Sequence, residues 1–137
     1  GSEMCIRDRS KDGIYYPEVR NPDILLAMTQ ESFDKFSGSV KNNGVIIADT
    51  TYVKNIGDVQ AKIFACPITE LTQKELGSRL YANVAALGML AYLFSTIDFH
   101  FFEEAVSDRV PTAFREANMN ALRAGYRWAE EYAHERM

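Results

Sequence analysis

The sequence predicts an α/β fold built on a mainly parallel sheet, and three observations carry that expectation. Residues 23–28, apolar throughout after Asp23, and 45–48 are runs of strand length, as strands buried on both faces require. A third apolar run, Lys62-Ile63-Phe64-Ala65-Cys66-Pro67-Ile68, passes through Thr69-Glu70 into a helical pattern that Gly77-Ser78 breaks. Residues 80–94 are then almost wholly apolar, interrupted by Asn83, which is the signature of a helix that is itself covered.

Taken in order, residues 1–13 show neither helical nor strand periodicity and read as a disordered leader or scar outside the fold, which leaves 14–137 as the domain. Residues 14–19 form a short extended piece that Pro17 confines to an edge or a loop. After the strand at 23–28, Thr29 is placed to cap a helix with Glu31 in its first turn and an inward stripe of Phe33, Phe36 and Val40. Asn42-Asn43-Gly44 supplies the left-handed turn that ends it.

The strand at 45–48 closes on Asp49-Thr50-Thr51, and Gly57-Asp58 marks a surface turn before the strand at 62–66. Asp98 is placed to cap a helix carrying Phe101, Phe102, Ala105 and Val106. Pro111-Thr112 restarts the chain into a long last helix whose inward face is Phe114, Ala117, Ala121, Leu122, Gly125, Ala129 and Tyr132. Strand, helix, strand, strand and then helices imply parallel pairing through right-handed crossovers.

Composition narrows the function classes. A chain of 137 residues with 47% hydrophobic and 12% aromatic residues supports a full core. The net charge of -4 provides no basic stripe for a phosphate backbone, so nucleic acid is not an expected partner. The apolar segment 80–94 reaches about 22 Å as a helix, short of the ~30 Å hydrocarbon layer, so no membrane is expected either; no basic head followed by an apolar stretch marks a secretory signal, and a cytoplasmic home is the expectation. Cys5 and Cys66 are the only cysteines, without the spacing that holds zinc or an iron–sulfur cluster, and no metal site is expected. Cys66, in an apolar strand, reads as a small buried hydrophobe.

Open parallel sheets collect ligands beyond the carboxyl ends of their strands, and here those ends carry Thr29-Gln30, Asp49-Thr50-Thr51 and Thr69-Glu70. Each has a structural reading beside the functional one. Thr29 and Thr69 suit helix caps, and Asp49 suits a bond within its own turn. Asp49 and Glu70 are two carboxylates of one rim, but nothing in their spacing makes them an acid–base pair. Asn83 is the one amide in the apolar helix, expected to pin a neighbouring loop or satisfy a core hydrogen bond. His100 reads as a packed or partly exposed helix residue and His134 as a partner for helix-terminal carbonyls, with Asn118 and Asn120 solvated or at an interface. No H-E-x-x-H, G-x-S-x-G, Walker loop or G-x-G-x-x-G is present, so no catalytic residue is assigned.

The ordered set Tyr16-Pro17-Glu18-Val19, residues 21–30, Phe33-Asp34-Lys35-Phe36, residues 40–49, Cys66-Pro67-Ile68-Thr69-Glu70-Leu71, Leu76-Gly77, Ala82-Asn83-Val84, Leu87-Gly88 and residues 120–126 resembles the gamma subunit of 2-oxoacid:ferredoxin oxidoreductases, nearest to the small gamma subunits of the 2-oxoglutarate type. The resemblance spans roughly residues 14–133 and lies in the order of the segments rather than in any single one. It implies a Rossmann-like three-layer fold with a helical C-terminal part, in a complex that oxidatively decarboxylates a 2-oxoacid, transfers the acyl group to coenzyme A and reduces ferredoxin. It further implies thiamine diphosphate and magnesium between alpha and beta subunits, iron–sulfur clusters in other chains, and a non-catalytic gamma domain on the coenzyme A side that binds no cofactor alone.

The chain joins the family pattern only near Ile14, without the glycine-rich strand-to-helix turn and Arg-Gly-Gly segment that open family members. It therefore resembles the C-terminal part of a gamma subunit with the N-terminal strands missing. A sheet cut in this way has an open edge and an apolar face, so the expected partners are alpha and beta subunits, with a delta subunit in some complexes, or a second copy of the chain. The alternative outside this class is an independent α/β binding or scaffold module without a redox role. Under either reading, the residues put forward as ligand-side or interface groups are Thr29, Gln30, Asp49, Thr50, Thr51, Thr69, Glu70 and Asn83.

Overall fold

The computed structural model describes residues 4–5, 24–40, 44–94 and 96–136, with backbone only at 4–5 and 133–136. Two units divide it, Gly1–Pro67 and Ile68–Met137.

In the first unit the apolar runs become strands. β1 (Met4–Cys5), β2 (Ile24–Ala27), β3 (Val45–Asp49) and β4 (Lys62–Cys66) form one sheet in the order β1-β2-β3-β4. β2 and β3 pair in parallel with Leu26 opposite Ile47, and β3 and β4 pair in parallel with Ile47 opposite Phe64. The expected parallel core of the sheet is therefore present. Met4–Cys5, within the segment expected to lie outside the fold, pairs antiparallel with β2. The expected extended piece at residues 14–19 lies outside the described residues.

Helix α1 (Gln30–Phe36) follows β2 directly. Thr29 caps it as expected, its Oγ1 accepting from the Ser32 N–H at 3.1 Å. The helix is shorter than the stripe suggested: Ser37–Ser39 tightens to a 3₁₀ turn, and Val40 is extended yet still buried. Ser-Gly-Ser is poor helix-forming sequence, so packing holds Val40 in place where the helix has already ended. Asn42 and Asn43, expected to terminate the helix, lie outside the described residues.

One face of the sheet, Leu25 and Ala27 on β2 with Ile46 and Ala48 on β3, packs with Phe33, Val40, Val53 and Ala61, and Phe36, Ile56, Val59 and Ile63 flank this cluster. Ile24, Leu26 and Ile47, which alternate with that set, are also buried. Both faces of β2 and β3 thus exclude water, which is why these strands are continuous apolar runs.

In the second unit, α2 (Ile68–Leu76) ends at Gly77, whose φ of 79° is the left-handed conformation a side chain disfavours, and whose N–H returns to the Gln73 carbonyl at 3.0 Å. Ser78 Oγ then accepts from the Leu80 N–H and starts a 3₁₀ turn at Arg79–Tyr81. α3 (Ala82–Leu93), α4 (Phe99–Arg109) and α5 (Arg115–Arg136) complete the unit. Asp98 caps α4 as expected, accepting from the His100 N–H at 2.9 Å.

The helical faces expected from the sequence need two corrections. The first is Leu80, which is exposed because it sits in the 3₁₀ turn before α3; α4 buries Phe102 and Val106 and leaves Phe101 exposed. Phe114 is exposed in the turn at Thr112–Phe114, while α5 buries Trp128 and Ala124 beside the expected Ala121, Leu122 and Ala129.

Helices α3 and α5 meet backbone to backbone. A methyl added at Gly88 would overlap the Leu122 carbonyl oxygen, and one added at Gly125 would overlap the Ala85 carbonyl oxygen. Beside that contact the Tyr126 ring stands edge-on to Tyr92 and Phe99, with centroids 5.4 Å and 4.9 Å away. At the surface, Arg123 pairs with Glu103 at 2.9 Å and Arg127 with Glu75 at 3.2 Å; such exposed pairs add little stability.

Gly125→Ala forces the two helices apart at their contact. We expect it to cost about 3 kcal/mol, read as a lower midpoint in urea unfolding, whereas Gly38→Ala, which meets open space, leaves the midpoint within about 0.5 kcal/mol.

Candidate functional site

The polar rim forms where the buried strands end. Asp49 is the last residue of β3 and is fully buried, an unusual place for a carboxylate. Its Oδ1 accepts from the Thr51 N–H at 3.0 Å, and its carbonyl accepts from the Tyr52 and Val53 N–H groups at 3.1 and 2.8 Å. The structural role weighed for Asp49, a bond within its own turn, is thus observed. Thr50 N–H continues the sheet for one more bond, donating to the Cys66 carbonyl at 3.0 Å, and Lys54 Nζ donates back to the Thr50 carbonyl at 2.8 Å.

Gln30, half-buried at the start of α1, reaches across to this loop. Its Oε1 accepts from the Lys54 and Asn55 N–H groups at 2.8 and 2.9 Å, and its Nε2 donates to the Asn55 carbonyl at 2.7 Å and to Asp34 Oδ1 at 3.0 Å. The structure therefore joins Thr29-Gln30 and the loop that opens with Asp49, Thr50 and Thr51. Nothing in the sequence reveals the contacts of Gln30 with this loop, since their partners are backbone groups about 25 positions on, placed by the path of the loop.

Thr69, Glu70 and Asn83 lie in the second unit. Thr69 is buried but is not the cap expected: α2 already begins at Ile68, so Thr69 stands inside its first turn, next to exposed Glu70. The neighbouring Thr72, fully buried, donates its Oγ1 hydrogen to the Ile68 carbonyl at 2.7 Å. Asn83 overturns its expectation as an internal amide. It is exposed in the first turn of α3, because α3 turns Ala82, Ala85, Ala86 and Met89 inward instead. The buried amide is Asn118, expected at the surface; its Nδ2 donates to the Phe114 carbonyl at 2.8 Å.

His100 lies on the exposed side of α4. A side-chain hydrogen bond to Glu103 and the charge of Glu104 raise its pKa above the ordinary 6.5. The side chain of His134 lies outside the described residues. Among the described residues no group of three or more His, Cys, Asp or Glu side chains is placed to hold a metal ion. Cys66 is fully buried in β4 as a thiol rather than half of a disulfide. No helix of the described residues is long and apolar enough to cross a membrane.

An open sheet with a parallel core and a hydrogen-bonded rim at its strand ends defines an α/β module of the Rossmann-like class. The chain belongs to the pyruvate ferredoxin/flavodoxin oxidoreductase family, which it matches over residues 2–128. It is 31% identical, over 95% of its own length and 69% of the relative's, to the 2-oxoglutarate synthase subunit KorC of Methanocaldococcus jannaschii. It is 30% identical to the ketoisovalerate oxidoreductase subunit VorA of Methanothermobacter marburgensis, over 96% of this chain but 28% of that one. Among solved structures it superposes with a TM-score of 0.76 and 34% identity on the keto/oxoacid ferredoxin oxidoreductase gamma subunit of Geobacter sulfurreducens PCA, covering 80% of this chain and 65% of that chain. The resemblance to gamma subunits is borne out, and so is the α/β fold.

Two measurements test the local chemistry. Asp49→Ala leaves the Thr51 N–H without its acceptor and should cost about 1–3 kcal/mol in urea unfolding, while Asp49→Asn, which keeps an oxygen there, should cost less. For His100, whose folded pKa is raised, the stabilisation is complete below its unfolded pKa and is lost as pH rises through the folded value. An NMR titration should place its midpoint above 6.5, and His100→Gln should remove that step from the pH dependence of stability.

Proposed function

We propose that this chain is the gamma component of a complex that oxidatively decarboxylates a 2-oxoacid, forms the acyl-coenzyme A and carbon dioxide, and passes the electrons to ferredoxin. The observation that carries this reading is the match to KorC along nearly the whole chain, at a share of the relative that the ketoisovalerate subunit does not approach. Four matching 2-oxoglutarate synthase subunits favour 2-oxoglutarate as the acid. The chain spans about two thirds of the relatives' gamma subunits, and the activity belongs to the assembly.

In this reading the chain supplies surface rather than reacting groups. Thiamine diphosphate, magnesium and iron–sulfur clusters reside in the alpha, beta and, where present, delta subunits, and coenzyme A approaches from the gamma side. Thr29, Gln30, Asp49, Thr50 and Thr51 are the ligand-side or interface residues of the first unit; Thr69, Glu70 and Asn83 are those of the second. Asn83 is better suited to an interface, being exposed. A cytoplasmic location belongs to the same reading.

The test is co-expression of the tagged chain with the alpha and beta subunits of its complex. We expect co-purification with thiamine diphosphate-containing partners and reduction of ferredoxin that requires both 2-oxoglutarate and coenzyme A, with no turnover by the isolated chain. A chain that stays alone, or a complex equally active without it, contradicts the proposal and favours an independent binding module.

A further inference from the structure

We propose that the Gln30 carboxamide is a latch that fixes the polar stretch of the loop after β3, and that this stretch opens as a unit when the latch is released while the sheet stays folded. The inference goes beyond the subunit role and does not depend on it.

The loop is held in two chemically different ways. Val53 is buried in the core cluster, and Ile56 and Val59 pack against that cluster, so the loop's apolar side is anchored by burial. Lys54 and Asn55 are exposed and take no part in that packing. Their backbone N–H groups both donate to Gln30 Oε1, and the Asn55 carbonyl accepts from Gln30 Nε2. A single side chain therefore satisfies three backbone groups of this stretch, the Lys54 N–H and both the N–H and the carbonyl of Asn55. The bond from Nε2 to Asp34 Oδ1, one helical turn along α1, uses the remaining amide hydrogen and orients the carboxamide.

The consequences are local. Upstream, the Thr51, Tyr52 and Val53 N–H groups are held by Asp49 itself and do not need Gln30. Opening of the latch therefore frees residues 54–55 without unmaking the turn that ends β3. Exposed hydrogen bonds of this kind contribute modestly and belong to the low-stability end of a protein's local openings. A segment held this way is rigid when closed and needs little free energy to open.

Amide hydrogen exchange on the folded chain tests the proposal, read residue by residue by NMR. Gln30→Ala should raise exchange at the Lys54 and Asn55 amides about ten-fold or more, leave Tyr52 and Val53 and the β2 and β3 amides close to wild type, and speed tryptic cleavage after Lys54. Gln30→Glu keeps oxygen acceptors for both N–H groups but loses the donors to the Asn55 carbonyl and to Asp34 Oδ1 and sets a carboxylate beside that of Asp34, so its Lys54 and Asn55 amides should exchange faster than in the wild type. Unchanged exchange at Lys54 and Asn55 in Gln30→Ala overturns the latch. Loss of protection spread evenly over the sheet also overturns it, since the contact would then serve global stability instead of a local opening.

Discussion

A parallel sheet buried on both faces leaves its polar side chains one place to go, the ends of the strands. β2 and β3 carry Ile24, Leu25, Leu26, Ala27, Ile46, Ile47 and Ala48 with almost no surface in water, so neither face can carry a reactive group at acceptable cost. The chain obeys that constraint at its first opportunity. Thr29 follows β2 by two positions, and Asp49 closes β3. The buried Asp49 carboxylate is tolerable because it is hydrogen-bonded where it stands, and the turn it organises directs Thr50, Thr51 and Lys54 along the rim.

The helical unit answers a different constraint. Its α3 is too apolar to face water and too short to need a membrane, so it is buried by contact with α5. Gly88 and Gly125 let the two backbones touch, which brings Ala85, Ala121 and Leu122 into a dry layer and leaves larger aromatic rings for the ends of the contact. This packing accounts for residues that read as small and featureless in the sequence. Ala and Gly on these helices are shape, and their spacing sets how near the helices come.

The sheet was legible because β2 and β3 express burial directly as apolar runs, and half-buried β4 still carries Ile63, Phe64, Ala65 and Cys66 in a row. Caps at Thr29 and Asp98 were legible for the same kind of reason: the bond is to a backbone N–H two or three positions away. Legibility fell where a residue's fate depended on rotation or on distant backbone. Asn83 looked internal because its neighbours are apolar, yet one helical step carries it to the solvent side. Phe101 and Phe102 are chemically alike and adjacent, and only the packing of α4 decides that the second is buried. Gln30 could be nominated as a rim residue from its place after a strand, but its tie to Lys54 and Asn55 exists only once the loop has folded over α1. Family membership was legible from the order of many short segments, none of which carries the chemistry alone.

On the proposed reading this chain is a preformed surface whose working edge is the rim of the sheet, within an oxidoreductase whose reacting groups lie in other subunits. Hydrogen exchange of the chain, compared between its isolated state and its assembly with the alpha and beta subunits, examines that claim most directly. The account predicts that added protection on assembly is concentrated at residues 29–30 and 49–55. Protection that appears only on the exposed faces of α4 and α5, with the rim exchanging as freely as in the isolated chain, would contradict it.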